Sequence, residues 1–308
     1  MRPVKVIVLL LLCAGVSITG CKNDLNVPPG ASVAQIIASD PNKDSLLYHA
    51  LKRTGYLQFV SSSPNLTLFA PNNEAFVAAG YPTYAAIDAA NLTDLTYIIG
   101  YHLAGRALAP NKIPANGQLQ TLNNYIFTSN TAKGIFINGI ALSTTYEAAA
   151  NGVIYRLNKL LTPPAQTLQQ IIDTDNNLSF FAKAVKTDTS LIIFSSLTSF
   201  NTALVPVNQA FKDAGLADEA AVAALGVDSL DKLIKYHIIE KQHLLTTDFI
   251  NGTRYLNMRD SAIYTSVGTE ATFLKAYPKG QSILIPFVKK DSIAINGVIH
   301  YIDQLLKP

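Results

Sequence analysis

Thr67-Leu68-Phe69-Ala70-Pro71-Asn72-Asn73-Glu74-Ala75-Phe76 returns, more loosely, as Thr202-Ala203-Leu204-Val205-Pro206-Val207-Asn208-Gln209-Ala210-Phe211, an offset of 135 residues. Self-similarity at a fixed spacing signals a repeated structural unit. The same offset holds on both sides of this block: Gln35-Ile36-Ile37 pairs with Gln170-Ile171-Ile172, and Tyr101-His102 with Tyr236-His237. Asn151-Gly152-Val153-Ile154-Tyr155 matches Asn296-Gly297-Val298-Ile299-His300 at an offset of 145, so the second copy carries about ten extra residues before that block. Four blocks in one order define two copies, 31–164 and 165–308. The first ends Leu160-Leu161-Thr162-Pro163-Pro164 and the second Leu305-Leu306-Lys307-Pro308. The proline pair is a natural stop between units.

Each copy reads as mixed α and β. Asp44 is expected to cap a helix that carries Leu46, Leu47, Ala50 and Leu51 on one face. Leu66 to Ala70 reads as a short strand stopped by Pro71, after which Asn72 or Asn73 caps a short helix ending at Gly80. Leu95, Ile98, Ile99 and His102 keep the i, i+3, i+4, i+7 spacing of a helix face, and Leu230, Leu233, Ile234 and His237 repeat it. Ile135 to Ile137 and Val153 to Leu157 read as strands, with Asn-Gly turns expected at 138–139 and 151–152.

The order Phe-Ala-Pro-Asn-Asn-Glu-Ala-Phe, a helix ending Tyr-His, Asn-Gly-Val-Ile and a Leu-Leu-x-Pro close resembles the fasciclin (FAS1) domain family. The resemblance covers nearly all of 31–308 and is weaker in the second copy, where Phe69-Ala70 becomes Leu204-Val205. It implies an α+β fold of two tandem FAS1-like domains, each a β-sandwich or wedge flanked by helices. It also implies cell-surface adhesion or ligand binding. In some animal members the Tyr-His segment is implicated in integrin-dependent adhesion, which would transfer only to Tyr101, His102, Tyr236 and His237.

The amino terminus addresses the compartment. Arg2 and Lys5 precede an unbroken apolar run, Val6 to Leu12, and then Ile18-Thr19-Gly20-Cys21. A basic start, a brief apolar stretch and small residues before a cleavage point describe a secretory signal over 1–20. The apolar run is too short to span a bilayer. Cysteine directly after small residues resembles the lipobox of bacterial lipoproteins, so Cys21 is the expected lipidation site and 21–30 a tether. Its Lys22 to Gly30 stretch reaches only ~15–18 Å as a flexible chain, which would hold the first domain close to the lipid surface. Cys13 and Cys21 are the chain's two cysteines. With one in the signal and the other acylated, no disulfide framework exists and folding must rest on packed cores.

Charge excludes one class. Lys and Arg number 24 against 21 Asp and Glu, two of the basic residues lie in the signal, and none cluster. A nucleic-acid protein needs a concentrated positive face. Catalytic signatures are also missing: no Gly-rich phosphate loop, no His-Glu-x-x-His, no Gly-x-Ser-x-Gly and no Cys-x-x-Cys. Nothing in the sequence calls for a metal or an organic cofactor. Of the five histidines, His49, His102, His237, His243 and His300, the paired His102 and His237 continue the apolar face of their helices. Each should face the core as a neutral ring bonded to backbone. His300 stands where the first copy has Tyr155, and Asp303 where it has Asn158, exchanges that suit hydrogen bonding better than catalysis. Asp44-Ser45-Leu46, Asp228-Ser229-Leu230, Asp260-Ser261-Ala262 and Asp291-Ser292-Ile293 match an O-glycosylation pattern of some Gram-negative lineages, and equally suit helix caps. The extra residues of the second copy, around 263–282, are expected as a surface loop in which Lys275, Tyr277 and Lys279 form a candidate binding surface.

The resulting expectation is a non-catalytic adhesion or ligand-binding lipoprotein of the cell envelope. It would be held in the bilayer through acylated Cys21, in the outer membrane and facing outward. Its partner would be an extracellular or envelope protein or a polysaccharide. A glycan-binding accessory of an outer-membrane uptake system, and an envelope enzyme with an unrecognised site, are the alternatives.

Overall fold

A computed structural model of the chain describes residues 30–143, 145–188, 192–198, 200–267, 272–276 and 283–306. The first domain opens with helices α1 (Val33–Ser39), α2 (Pro41–Arg53) and α3 (Tyr56–Ser62), then strand β1 (Leu66–Pro71). Helices α4 (Asn73–Ala78), α5 (Tyr84–Ala89) and α6 (Leu92–Tyr101) follow. Then come β2 (Leu103–Ala104), β3 (Asn116–Gln120), β4 (Tyr125–Thr131), β5 (Gly134–Ile137), β6 (Ile140–Leu142), β7 (Glu147–Ala149) and β8 (Gly152–Leu157). The second domain repeats the plan with α7 (Leu168–Thr174), α8 (Ser179–Thr187), β9 (Asn201–Pro206), α9 (Asn208–Asp213), α10 (Glu219–Ala223) and α11 (Val227–Tyr236). Its β half is β10 (Ile238–Ile239), β11 (Arg254–Leu256), β12 (Ala262–Val267), β13 (Thr272–Ala276), β14 (Ile283–Ala294) and β15 (Gly297–Ile302).

The strands of the first domain form two sheets, β2-β1-β8-β7 and β3-β4-β5-β6. Its central strands β1 and β8 run parallel, Leu66 opposite Gly152 and Pro71 opposite Leu157. Side chains alternate across a strand, and both faces of β1 are buried. Leu66, Leu68, Ala70 and Ile154 meet the helices, whereas Phe69, Val153 and Tyr155 meet Leu119, Ile126 and Ile137 of the other sheet. In the second domain β14 is long enough to pair with β13 at one end and β15 at the other, so the order β10-β9-β15-β14-β13-β12-β11 is continuous. Register shifts along β14 from Phe287 to Ser292, with Asp291 at a φ of 58°, supply its bend; a bulge is how a strand turns from one sheet direction to another.

Several local expectations change. Asp40, not Asp44, caps α2, accepting from the Lys43 N–H, with Pro41 in the first turn. Asp44 is instead fully buried and bonded to Arg156 at 2.6 Å, while Arg156 also pairs with Glu147 at 2.9 and 3.0 Å. Burial holds the Asp44 carboxyl above the usual carboxylate range, and Arg156 opposes that shift. Asn72 caps α4 by accepting from the Ala75 N–H, and Asn73 reaches back to accept from the Leu46 N–H of α2. Asn138-Gly139 is a hairpin turn, with φ values of 47° and 75°. Asn151-Gly152 is not.

That second pair does tertiary work. The Asn151 side chain accepts from the Val33 N–H and donates to the Val60 and Ser63 carbonyls, tying α1 and α3 to the start of β8. Gly152 lets β8 approach β1 so closely that a Cβ would collide with the Leu66 carbonyl. Asn296 and Gly297 repeat this: Asn296 accepts from Leu168 N–H and donates to the Phe194 and Ser196 carbonyls. Within the segment expected as a loop at 263–282, residues 263–267 and 272–276 are strand instead. Lys275 lies in β13, in register with Tyr264 of β12 and Leu284 of β14. Tyr277, Lys279 and Cys21, the expected lipidation site, lie outside the described residues.

Candidate functional site

The Tyr-His pairs are interior. Tyr101 and His102 are fully buried, as is His237, and Tyr236 is 9% exposed. Helix α6 ends at His102 because the ring turns back on its own last turn: Nδ1–H donates to the Ile98 carbonyl at 2.9 Å. Nε2 accepts from the Leu161 N–H at 2.9 Å, closing the domain's carboxyl end. His237 does the same with the Leu233 carbonyl and the Leu306 N–H. Burial depresses both rings to about 4, which keeps them neutral. The Tyr101 hydroxyl donates to the Tyr125 carbonyl and accepts from the Asn138 amide, tying α6 to the second sheet. A partner at the surface meets none of these rings.

His300 and Tyr155 explain each other. Tyr155 donates its hydroxyl proton to the Leu108 carbonyl at 2.7 Å, and His300 donates Nε2–H to the Leu244 carbonyl at 2.7 Å. Two different donors pin the same bend. Thr67 and Thr202 hold it from the other side: Thr67 bridges Arg106 carbonyl and Leu108 N–H, Thr202 bridges Gln242 carbonyl and Leu244 N–H.

In the second domain this pinned bend carries His243 to the seam between the domains. Its imidazole lies flat on Phe127 of β4, centroids 3.4 Å apart and planes 5° from parallel. Phe200 approaches the same Phe127 ring edge-on at 6.0 Å. Nearby, Lys133 of the first domain donates to the Phe249 carbonyl at 3.5 Å. Buried Asp248 accepts from the Leu245 N–H; burial raises its carboxyl, with Lys133 across the seam acting in the opposite direction. Phe127 is left 3% exposed. Rings that interlock this closely make the seam a packed joint.

Beside the joint lies a groove of about 380 Å³, lined by Asn116, Gly117 and Gln118 of β3, Phe127, Phe200 and the 241–244 bend. The volume is at the low end of small-ligand sites. Three lining side chains are amides (Asn116, Gln118, Gln242), one is the cation Lys241, and none is a carboxylate. The Gln118 amide nitrogen and the His243 Nε2 are shut off from solvent without a hydrogen-bond partner among the described residues. An unpaired buried polar atom costs roughly 1–3 kcal/mol, so such atoms are rare in a native interior. Burial also lowers His243, to about 3, and His300 beside it adds to the shift. The ring therefore meets the groove neutral.

Sequence reading passed over this site. Phe127, Phe200, Gln118 and Gln242 fall in no motif, and His243 stood without a role. The one available signal was that His243 belongs to the segment 241–244, which follows the second Tyr-His block and has no aromatic counterpart in the first copy's 105–108.

Two stretches, 43–163 and 176–308, match the family model described as "Fasciclin domain". Among curated proteins the chain is 25% identical over 248 residues to transforming growth factor-beta-induced protein ig-h3 of Sus scrofa, covering 79% of this chain and 35% of that protein. It is 25% identical to human periostin, covering 81% of this chain and 29% of that protein. The chain thus spans about a third of the length of these relatives. A solved FAS1 domain pair from the insect cell adhesion molecule fasciclin I aligns with a TM-score of 0.43 at 18% identity, over 86% of this chain and 96% of that one.

Proposed function

The chain belongs to the fasciclin-domain family, and from that premise we propose that it is a lipid-tethered, non-catalytic adhesion or ligand-binding protein of the cell envelope, with the interdomain seam as its contact site. One observation carries the choice of site: the groove sets three amide side chains beside aromatic rings in a concavity made by both domains. The other conspicuous groups are otherwise employed. His102, His237 and His300 bond backbone, and Asp44 bonds Arg156, so these buried groups support the fold. Attachment rests on the Cys21 motif, and three acyl chains exceed the two signals that stable anchoring needs.

Two variants test the reading. Cys21→Ser should move the protein from the membrane to the soluble fraction; unchanged partition would remove the tether. Gly117→Arg should fill the groove, since a Cβ there meets only ordinary contact with Pro114. It should abolish capture of envelope proteins or polysaccharides by the full chain while leaving the melting temperature unchanged. Retained capture would move the site elsewhere, with β12–β14 the next surface to test. A second reading, a glycan-binding accessory of an outer-membrane uptake system, is favoured by the amide and aromatic lining of the same groove.

A further inference from the structure

We propose that the seam groove is a carbohydrate site, taking a short run of neutral sugar units. The inference rests on the seam reading above and names the chemistry of its ligand. Each side-chain amide presents a donor and an acceptor in one plane, and three of them, Asn116, Gln118 and Gln242, converge on a groove with a single cation and no carboxylate. Neighbouring hydroxyls on a sugar ring offer both a donor and an acceptor, and satisfy an amide at both ends. An anionic ligand would call for more than Lys241, typically an arginine fork. A cationic one would call for carboxylates, and a purely apolar one would leave the amides unpaired at a cost.

The apolar half of the ligand is matched too. A pyranose has a face of C–H groups, and the Phe200 ring, in T-shaped contact with Phe127, lines the groove. The Gln118 side chain, half-exposed, brings its unpaired amide to a hydroxyl by rotation about its own bonds. Phe127, locked under His243, serves as a fixed wall. Because β3 contributes from one domain and residues 241–244 from the other, the site exists only in the joined pair.

The test uses the full chain from residue 22, without the lipid. Cellohexaose, laminarihexaose, mannohexaose, xylohexaose and maltohexaose are titrated by calorimetry, with a galacturonic acid hexamer as the charged comparison. At least one neutral hexamer should bind, and the charged one should bind more weakly. Gln118→Leu and Phe200→Ala should each weaken binding by roughly tenfold or more, the equivalent of ~1.4 kcal/mol. Asn116→Ala, at an exposed position, repeats the test should either variant lose its fold. Binding by no neutral hexamer overturns the proposal, as does binding untouched by these substitutions. If the sugars fail but Gly117→Arg still abolishes capture of an envelope protein, the ligand class is wrong and the seam stands. If Gly117→Arg changes nothing, both are wrong.

Discussion

The two domains share one plan but keep different parts of it. In the first, Asn72 caps α4 and Asn73 ties α2; in the second, Val207 provides no cap, yet Asn208 still bonds the Phe180 N–H at the start of α8. In the first, β8 is braced by the Asp44–Arg156–Glu147 cluster. In the second, Tyr301 on β15 donates to Asp175 and lies under Lys289. The His C-cap, the Asn-Gly tie and the Thr-pinned bend are common to both. What persists joins elements far apart in the chain. What drifts is worth about 1 kcal/mol, as a helix cap is, or is replaced by another polar brace.

Arg156→Met should have the largest effect. It strands the Asp44 carboxylate, 0% exposed, without its cation; removing one partner of a buried pair costs ~3–5 kcal/mol, and the quarter exposure of Arg156 argues for the lower end. Hydrogen exchange read by mass spectrometry should show faster opening in 31–164 and unchanged protection in 165–308. Equal loss in both would mean that the seam makes them one cooperative unit.

Acid should strike the second domain harder, because burial also lowers its His243 and His300, beyond what His102 and His237 give to each domain. His102 and His237 are depressed from 6.5 to about 4, so the unfolded chain binds more protons between those values. Their neutral burial stabilises fully above pH 6.5, and that contribution fades as pH falls towards 4, by roughly 3 kcal/mol per ring. A melting temperature flat from pH 7 to 4.5 would refute the assigned burial.

Asn296→Ala should cost more than Asn151→Ala, about 3 against about 2 kcal/mol in urea unfolding. Each leaves one backbone N–H and two carbonyls unpaired, but Asn296 is fully buried and Asn151 only half so. The reverse order would show that α1 and α3 depend on their asparagine more than α7 does. The smallest difference is the lost cap. Asn72→Ala should lower stability by ~1 kcal/mol and Val207→Asn raise it by up to as much; no change in either would make the drift of that position neutral.

How far the residues alone carry the reading depends on the distance over which each one acts. Periodic apolar spacing located α6 and α11, and Pro71 and Gly80 closed their elements, because these signals act within a few residues. The repeat established two domains of one fold. The helix cap at Asp40 was missed, since Asp40 and Asp44 are equally good cap residues until packing against Arg156 takes one of them. Asn151-Gly152 looked like a hairpin turn because the pair is the same as Asn138-Gly139 locally; only the approach of β1 distinguishes them. Fold, copy number and the interior position of the paired histidines were therefore determined by the sequence itself. The seam, with Phe127 under His243 and Gln118 left unpaired, was decided by tertiary structure alone, because its residues come from two domains more than a hundred positions apart and no local pattern records which surfaces will meet.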